Sequence, residues 1–517
     1  VSTVPDSQKT PRDSWLQKAL ASPVLGWTIV LIGALLRLRR YLEDRGLMHD
    51  DALLANNIFS KSFAKLLQPL DTGDQAAPVG FLILQKCAVV LLGHDEHVLR
   101  LIPFLAAAIV LPLFFLTIRR IAGNSTAVMA IAIMALAEPL VRYCAEAKQY
   151  STDVLWATLV LALAMTAESV SAIAILAIVG AILLWFSHPL LFVLGGIGLT
   201  LFITHLHLGK YKLARADAVM GIIWLASFAA NYLLITRYYV ASDSLHQYWV
   251  NQDAFGPLPQ SLHSLLWYPK TIIGLFNYPL GILPSHHSQM AARVIASVTV
   301  GMFILGLGII WSQSRRMMGI LIWTIALALA ASALQRYPFA ERLTLFCAPL
   351  IALPLAFAMG NEWWQRNLGR ASCWLAICAI IFLYPLYIQA KYVIHPEVRY
   401  DAKPAIHYVK DHWQPGDSIY LHWGSDVLGH YYLRADPALS VPSNQLITGT
   451  YEKNLDVREK TYAGDLLQVQ GRARVWVIFS MDPVKDRQMI EHILDQRGKR
   501  LVHERFNGCT ADLYDLR

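Results

Sequence analysis

Two adjacent carboxylates, Asp50 and Asp51, follow His49 at the start of a long polar segment after the first apolar run. Paired carboxylates suit a general base: one oxygen accepts the proton of an attacking hydroxyl while the neighbour orients it or raises its pKa. The same pair also reads as a solvated loop start or as an Asp cap for a following helix. A second cluster places Arg142, Glu146, Lys148, Gln149, Tyr150 and Asp153 between two apolar runs. Ionisable groups at membrane depth are costly and call for partners or a ligand. Lys148 or Arg142 can hold a phosphate by charge-assisted hydrogen bonds. Alternatively, Arg142 pairs with Glu146 at i, i+4 and ties two helix ends. A third set is Arg336, Tyr337, Glu341 and Arg342 in QRYPFAERLTLF. It reads as an anion site or as ion pairs with Glu341. Arg100 is similarly placed, and His188 in SHP reads first as a turn residue. A carboxylate base with a cationic clamp fits transfer from a lipid phosphate, where the leaving group's charge must be stabilised.

The elements that must position these groups are mostly apolar. The chain has 517 residues, 56% hydrophobic and 15% charged, against about 25% charged for an average soluble protein. Its mean hydropathy is +0.42. Residues 395–517 hold 33 charged residues in 123 positions, and the preceding 394 hold only 47. This divides the chain into a membrane-embedded region, 1–394, and a soluble C-terminal region, 395–517. The formal charge is +8, but the tail balances to −1, which speaks against nucleic acid as a partner. Six cysteines are too few for a disulfide scaffold.

A membrane span needs about 20 apolar residues in a helix. Eleven segments are predicted, near 22–40, 98–118, 121–141, 151–167, 171–187, 189–206, 218–238, 291–311, 317–334, 343–360 and 371–390. Residues 78–93 read as a juxtamembrane or re-entrant segment. The loops placed inside then carry 12 basic residues, among them Lys9, Arg12 and Arg366, against five acids, including Asp6 and Asp13. The positive-inside rule gives a cytoplasmic N-terminus and an external C-terminal domain. Arg37, Arg39 and Arg40 resist this pattern at the outer end of the first span. They either snorkel from a tilted helix or face an anion outside. No cleavable signal peptide is read.

Two external segments remain. In 41–97, Leu53, Leu54, Ile58, Phe59, Phe63, Leu66 and Leu67 recur at helical spacing, which predicts an amphipathic helix at the membrane surface. Residues 241–290 are rich in rings suited to the interface, such as Trp249, Trp267, Tyr278, His286 and His287. The tail is predicted as a soluble α/β domain: helix 402–413, strands 418–423 and 475–480, helix 487–496, and closing paired strands. No metal-ligand spacing or nucleotide-binding glycine motif is present, so neither metal nor cofactor is demanded.

As an ensemble these features resemble the GT-C membrane glycosyltransferases, specifically protein O-mannosyltransferases and the lipid A aminoarabinose transferase. The resemblance rests on Asp50 and Asp51 with NIFSKSFAKLLQPL, Gln75 in QAAPVGFLILQK, Glu96 and Arg100 in EHVLRLIP, EAKQYSTD at 146–153, and YPFAERLTLFCAP at 337–349. It implies a polytopic GT-C membrane domain with a C-terminal periplasmic domain in a bacterial inner membrane. The implied activity is inverting transfer of a sugar from a polyprenyl-phosphate donor to a hydroxyl of a lipid, polysaccharide or other envelope acceptor. By this resemblance Asp50 or Asp51 is the base, Lys148 or Arg142 meets the donor phosphate, and the family's later arginine is Arg336 or Arg342. His49, Gln75, Arg100, Glu146, Gln149, Tyr150, Asp153 and Tyr337 are placed as substrate-binding or orienting residues. Asp-Asp stands where the family usually has Asp-Glu, so the base is not assigned to one position. A transporter or flippase of lipid-linked sugars is the competing function, but repeated halves with broken helices are not seen.

Overall fold

The computed structural model describes residues 15–70, 75–240, 243–284, 289–365, 368–396, 401–435, 441–442, 444–452, 454–480 and 484–517. Lys9, Arg12, Asp6, Asp13, His286, His287 and Arg366 lie outside them. The chain forms two compact units. One comprises Val1–Tyr41, Ala76–Leu84 and Leu101–Ile394; the other comprises Leu42–Gln75, Gln85–Arg100 and His395–Arg517.

The first unit is helical because its sequence offers long runs of Ala, Leu, Ile and Val, whose backbone can be satisfied in lipid only within the helix itself. Local signals set the ends. Pro23 opens Pro23–Tyr41, where its missing N–H costs nothing. Ser169 accepts from the Ala172 amide at the start of Val170–Leu183, and Ser314 from that of Met317 at the start of Arg315–Ala333. Seven described helices are long and apolar enough to cross a membrane: Glu96–Leu136, Leu190–His207, Tyr211–Thr236, Met290–Gln313, Arg315–Ala333, Glu341–Trp364 and Leu368–Ile394. Every residue of Ala348–Met359 is buried, as expected of a helix apolar on all sides.

These helices differ in detail from the eleven predicted spans. The segments expected at 98–118 and 121–141 fall in one run, Glu96–Leu136, broken at Gly123, whose φ of 81° favours glycine. The segments expected at 151–167 and 171–187 correspond to shorter apolar helices, Tyr150–Met165 and Val170–Leu183. Residues Val79–Leu92 are helical too.

Arg37 neither snorkels nor faces outward. It is fully buried and donates from Nη1 to the Gly33 carbonyl at 3.0 Å and from Nη2 to that of Met134 at 3.0 Å, with a longer contact to Ala135. The last carbonyls of a helix lack partners of their own, and at the end of Glu96–Leu136 the Arg37 guanidinium supplies partners to Met134 and Ala135. Gln389 adds a bond to Leu136 O, Cys144 Sγ lies 3.6 Å from Arg37 O, and Arg39 donates to Val393 O.

The second unit is built on a mixed sheet of β1 (Ser418–Leu421), β2 (Leu446–Thr448), β3 (Val475–Ser480), β4 (Lys499–Phe506) and β5 (Cys509–Asp515), in the order β2-β1-β3-β5-β4. β1 runs parallel to β2 and β3, while β5 is antiparallel to β3 and β4. All of β3, VWVIFS, is buried, as a continuous apolar run between two neighbours should be. The predicted helices appear as Lys403–Asp411 and Val484–Arg497, and the predicted closing strands as the β4–β5 hairpin. Trp423–Ala435, Leu455–Asp465 and β2 were not anticipated. Within this unit His49–Ser60 packs on Trp423–Ala435, and Leu53, Leu54 and Ile58 are buried there. Part of the apolar face predicted to meet the membrane surface is therefore covered by protein, while Phe63 and Leu67 of that face stay exposed. Asp486, fully buried, accepts from Arg458 Nη1 and Tyr462 OH, each at 2.9 Å.

Replacing Arg37 by Leu should strand the Met134 and Ala135 carbonyls at a cost of about 1–3 kcal/mol, read as a lower thermal midpoint in detergent. Asp486→Asn weakens the charge-assisted bond to the half-buried Arg458 and should lower the stability of the sheet-bearing unit by about 1–2 kcal/mol, measurable by denaturant titration of tryptophan fluorescence.

Candidate functional site

The carboxylates and the cations of the sequence analysis lie in different compact units, and each set has its own construction. In the unit that carries the sheet, Asp50 and Asp51 occupy the first turn of His49–Ser60. The N-cap is Met48, with no side-chain cap bond, so neither aspartate is the cap. Both sit where a helix dipole favours negative charge. Asp51 is 2% exposed, while Asp50 and His49 are half-buried. His49 also carries its influence to Asp426 on the neighbouring helix, whose carboxyl is held below the usual range. Burial opposes that shift, and the bonds from His430 and Thr448 with the charges of His430 and His49 outweigh it. Gln75 lies in the non-helical stretch before Val79–Leu92. Arg100, 1% exposed, donates from Nη2 to the carbonyls of Arg45 and Gly46, both at 2.9 Å. Its Nε and Nη1 have no hydrogen-bond partner among the described residues.

In the helical unit the second cluster forms where the chain leaves one helix and enters the next. Glu138–Arg142 is a short helix, Tyr143–Ala145 a 3-10 turn, and Tyr150–Met165 begins the following helix. Glu146 and Lys148 lie in the bend between, at 8% and 6% exposure. The Arg142 ion pair expected with Glu146 is made instead with Glu138, one turn earlier, at 3.6 Å. The reason is geometric: helical spacing holds from 138 to 142 and fails after 143, so i+4 on that side is no longer one turn away. Glu138 was the partner missed, although EPLVR carries the spacing openly.

Aromatic rings complete this cluster. Arg142 Nη2 donates to Tyr278 OH at 3.1 Å, and its guanidinium lies 5.1 Å from the Tyr143 ring centre and 5.8 Å from that of Tyr278. Tyr143 meets Tyr150 edge to face at 5.1 Å. Burial alone would lower the Arg142 pKa, but Glu138, Tyr278, Tyr143 and Glu146 outweigh it and raise it, so the side chain is a fixed cation. Gln149 Nε2 reaches Ala76 O at 3.5 Å. Asp153 is 4% exposed, and its Oδ1 has no hydrogen-bond partner among the described residues.

The third set joins the second through Tyr278. Thr344 Oγ1, in the 3-10 segment Glu341–Cys347, lies 3.4 Å from Tyr278 O, and that segment packs on Tyr150–Met165. Arg342 is half-buried, with its guanidinium 5.4 Å from the centre of the Trp249 ring. The segment carrying Trp249 is tied to the same region, since Phe339 N donates to Ala254 O at 2.8 Å. Tyr337 donates to Leu343 O at 2.8 Å and meets Phe192 edge to face. Burial, with Asp153 nearby, pushes its phenol well up. Arg336 and Glu341 are exposed, and neither forms an ion pair among the described residues. The expected Glu341 pairing is thus absent there. His188 is half-buried in its turn, and desolvation pulls its imidazole down to about 4.

Chemically, the helical unit offers cations of three kinds: one locked among tyrosines and a glutamate, one buried ammonium, and two arginines from one loop, half-buried and exposed. The other unit offers a carboxylate pair at a helix start.

No protein-family model and no curated protein matches the sequence. Solved structures do. The apo structure of ArnT from Cupriavidus metallidurans aligns over 95% of this chain and 98% of that one, with a TM-score of 0.53 at 12% identity. The oligosaccharyltransferase of Archaeoglobus fulgidus in its apo form aligns over 94% and 74%, with a TM-score of 0.51 at 14% identity. The same enzyme tethered to an acceptor peptide containing the NVT sequon aligns over 98% and 75%, with a TM-score of 0.51 at 13% identity. The chain is a polytopic helical membrane protein with a C-terminal mixed-sheet domain, and its fold is similar to those of ArnT and the archaeal oligosaccharyltransferase.

Proposed function

We propose that the protein is an inverting glycosyltransferase that moves a sugar from a polyprenyl-phosphate donor to a hydroxyl of a lipid, polysaccharide or other envelope acceptor. Residues 1–394 supply the membrane catalytic region, of which Leu42–Gln75 and Gln85–Arg100 belong to the same compact unit as 395–517, and 395–517 form a domain on the non-cytoplasmic face, with the N-terminus cytoplasmic. The observation that carries the reading is the burial of Glu146, Lys148 and Asp153 in the stretch of chain that follows the fixed cation Arg142, set in a GT-C fold. Charged groups buried between apolar helices are expensive, and a ligand phosphate is one reason to keep them.

In the proposed reaction the acceptor oxygen attacks the anomeric carbon from the face opposite the phosphate. The new C–O bond forms as the sugar–phosphate bond breaks, and configuration inverts. The acceptor proton passes to Asp50 or Asp51. The electron pair leaves with the polyprenyl phosphate, whose second charge is stabilised by Lys148, Arg142, Arg336 and Arg342. Arg342 suits this role as a planar donor already oriented by Trp249. Tyr150, Gln149 and Tyr337 orient the donor around that phosphate.

The assay is release of polyprenyl monophosphate from polyprenyl-monophosphate-sugar donors in membranes. At least one of Asp50→Asn and Asp51→Asn should slow release by about 10²–10⁴-fold. Full activity in both single variants and in the double variant would remove the base assignment. Lys148→Ala and Arg342→Ala should each lower kcat/KM for the donor about tenfold or more, in proportion to a lost charge-assisted hydrogen bond. Neutral behaviour of both would favour a non-catalytic membrane protein.

A further inference from the structure

The segment Asp44–Leu47 leads directly into His49, Asp50 and Asp51, and it is held by side chains far away in the sequence. Gly46 N donates to Asp401 Oδ2 at 2.9 Å, and Leu47 N to Tyr432 OH at 2.7 Å. The carbonyls of Arg45 and Gly46 accept from Arg100 Nη2. Lys403 Nζ donates to Asp44 Oδ1 at 2.5 Å and to Glu96 Oε2 at 3.2 Å. The Tyr432 hydroxyl, while accepting from Leu47, donates to Glu96 Oε1 at 2.5 Å. Asp401 is itself fixed, since its Oδ1 accepts from Lys403 N at 3.0 Å and its carbonyl from Cys509 Sγ at 2.8 Å.

Apart from the exposed Asp44–Lys403 pair, this clasp is buried and close-fitting. Glu96, Arg100, Asp401 and Tyr432 are each less than a tenth exposed. A Cβ on Gly46 would lie 2.1 Å from Asp401 Oδ1 and 2.8 Å from Tyr432 OH, so only glycine allows the backbone to come this near. Burial, reinforced by Glu96, raises the Tyr432 phenol well above its ordinary value, which keeps its donor proton in place.

We infer that Asp401 and Tyr432 of the C-terminal region, with Arg100 and Glu96, are positioning residues that fix the start of the His49–Ser60 helix and thereby aim its two aspartates. The inference rests on the reading of Asp50 and Asp51 given above. Two consecutive amides, Gly46 and Leu47, and two consecutive carbonyls, Arg45 and Gly46, are pinned immediately before Met48, the helix N-cap. Freeing them restores backbone motion to the residues that lead into the helix. An error of about 1 Å in a reacting group can cost on the order of 100-fold in rate. A loop that served only to connect two helices would need none of these buried bonds.

Tyr432→Phe removes one hydroxyl and keeps the ring; Asp401→Asn keeps the shape and removes the charge. Both are made in the full chain in detergent, with hydrogen exchange of residues 44–60 and donor turnover measured together. Exchange at the Leu47 amide should quicken about tenfold or more in Tyr432→Phe, while the amides of β3 and β5 keep their protection. Release of polyprenyl monophosphate should fall about tenfold in kcat with donor KM unchanged, and less in Asp401→Asn than in Asp401→Ala. The same Tyr432→Phe change made on Asp50→Asn/Asp51→Asn should add no further loss. Unchanged exchange, or faster exchange with unchanged kcat, overturns the inference, as does a second tenfold loss in the combined variant. Full activity of Asp50→Asn/Asp51→Asn alone refutes the base assignment instead, and is told apart because it does not involve Tyr432.

Discussion

A charge placed among apolar helices must find its partner inside the protein, because no water or lipid headgroup is there to serve it. That constraint organises the helical unit. Arg37 meets it with the carbonyls of Gly33, Met134 and Ala135, and in doing so it closes the end of Glu96–Leu136 just before the Glu138–Arg142 turn. Arg142 meets it with Glu138 and Tyr278. The polar residues that follow, through Asp153, inherit a fixed starting point. Arg37 used in this way is part of the scaffold, whereas the proposed reaction assigns Arg142, with Lys148, Arg336 and Arg342, to a phosphate.

Seen in these terms, charges that look alike in sequence separate by role. Arg37 and Arg336 both run against the positive-inside pattern, yet Arg37 is wholly enclosed and Arg336 is exposed. Arg342 lies between them, half-buried on an indole face. The carboxylates follow a different rule: Asp50 and Asp51 lie at a helix start and depend on the backbone before them, which Asp401, Tyr432 and Arg100 hold by hydrogen bonds.

The parts of the fold legible in the sequence are those set by short-range pattern. Apolar runs mark the membrane helices, VWVIFS marks β3, and the alternation after Lys499 marks the hairpin, since each depends on neighbours a few residues away. The break at Gly123 and the turn of Arg142 towards Glu138 depend on exact backbone geometry, which composition does not report. The apolar stripe of His49–Ser60 was visible, but its partner was not: lipid and the Trp423–Ala435 helix demand the same pattern. The clasp was invisible for a further reason. Gly46 and Asp401 are 355 residues apart, and nothing in either local sequence records the other. Candidate residues were therefore readable as types, and Glu138 by its helical spacing, while the partners Tyr278, Trp249 and Tyr432 needed the structure.

The most direct measurement is a cryo-electron microscopy structure of the protein with a polyprenyl monophosphate bound. The account predicts phosphate density in hydrogen-bonding contact with Lys148 and with Arg342 or Arg142. Density for the phosphate touching none of these residues would contradict it.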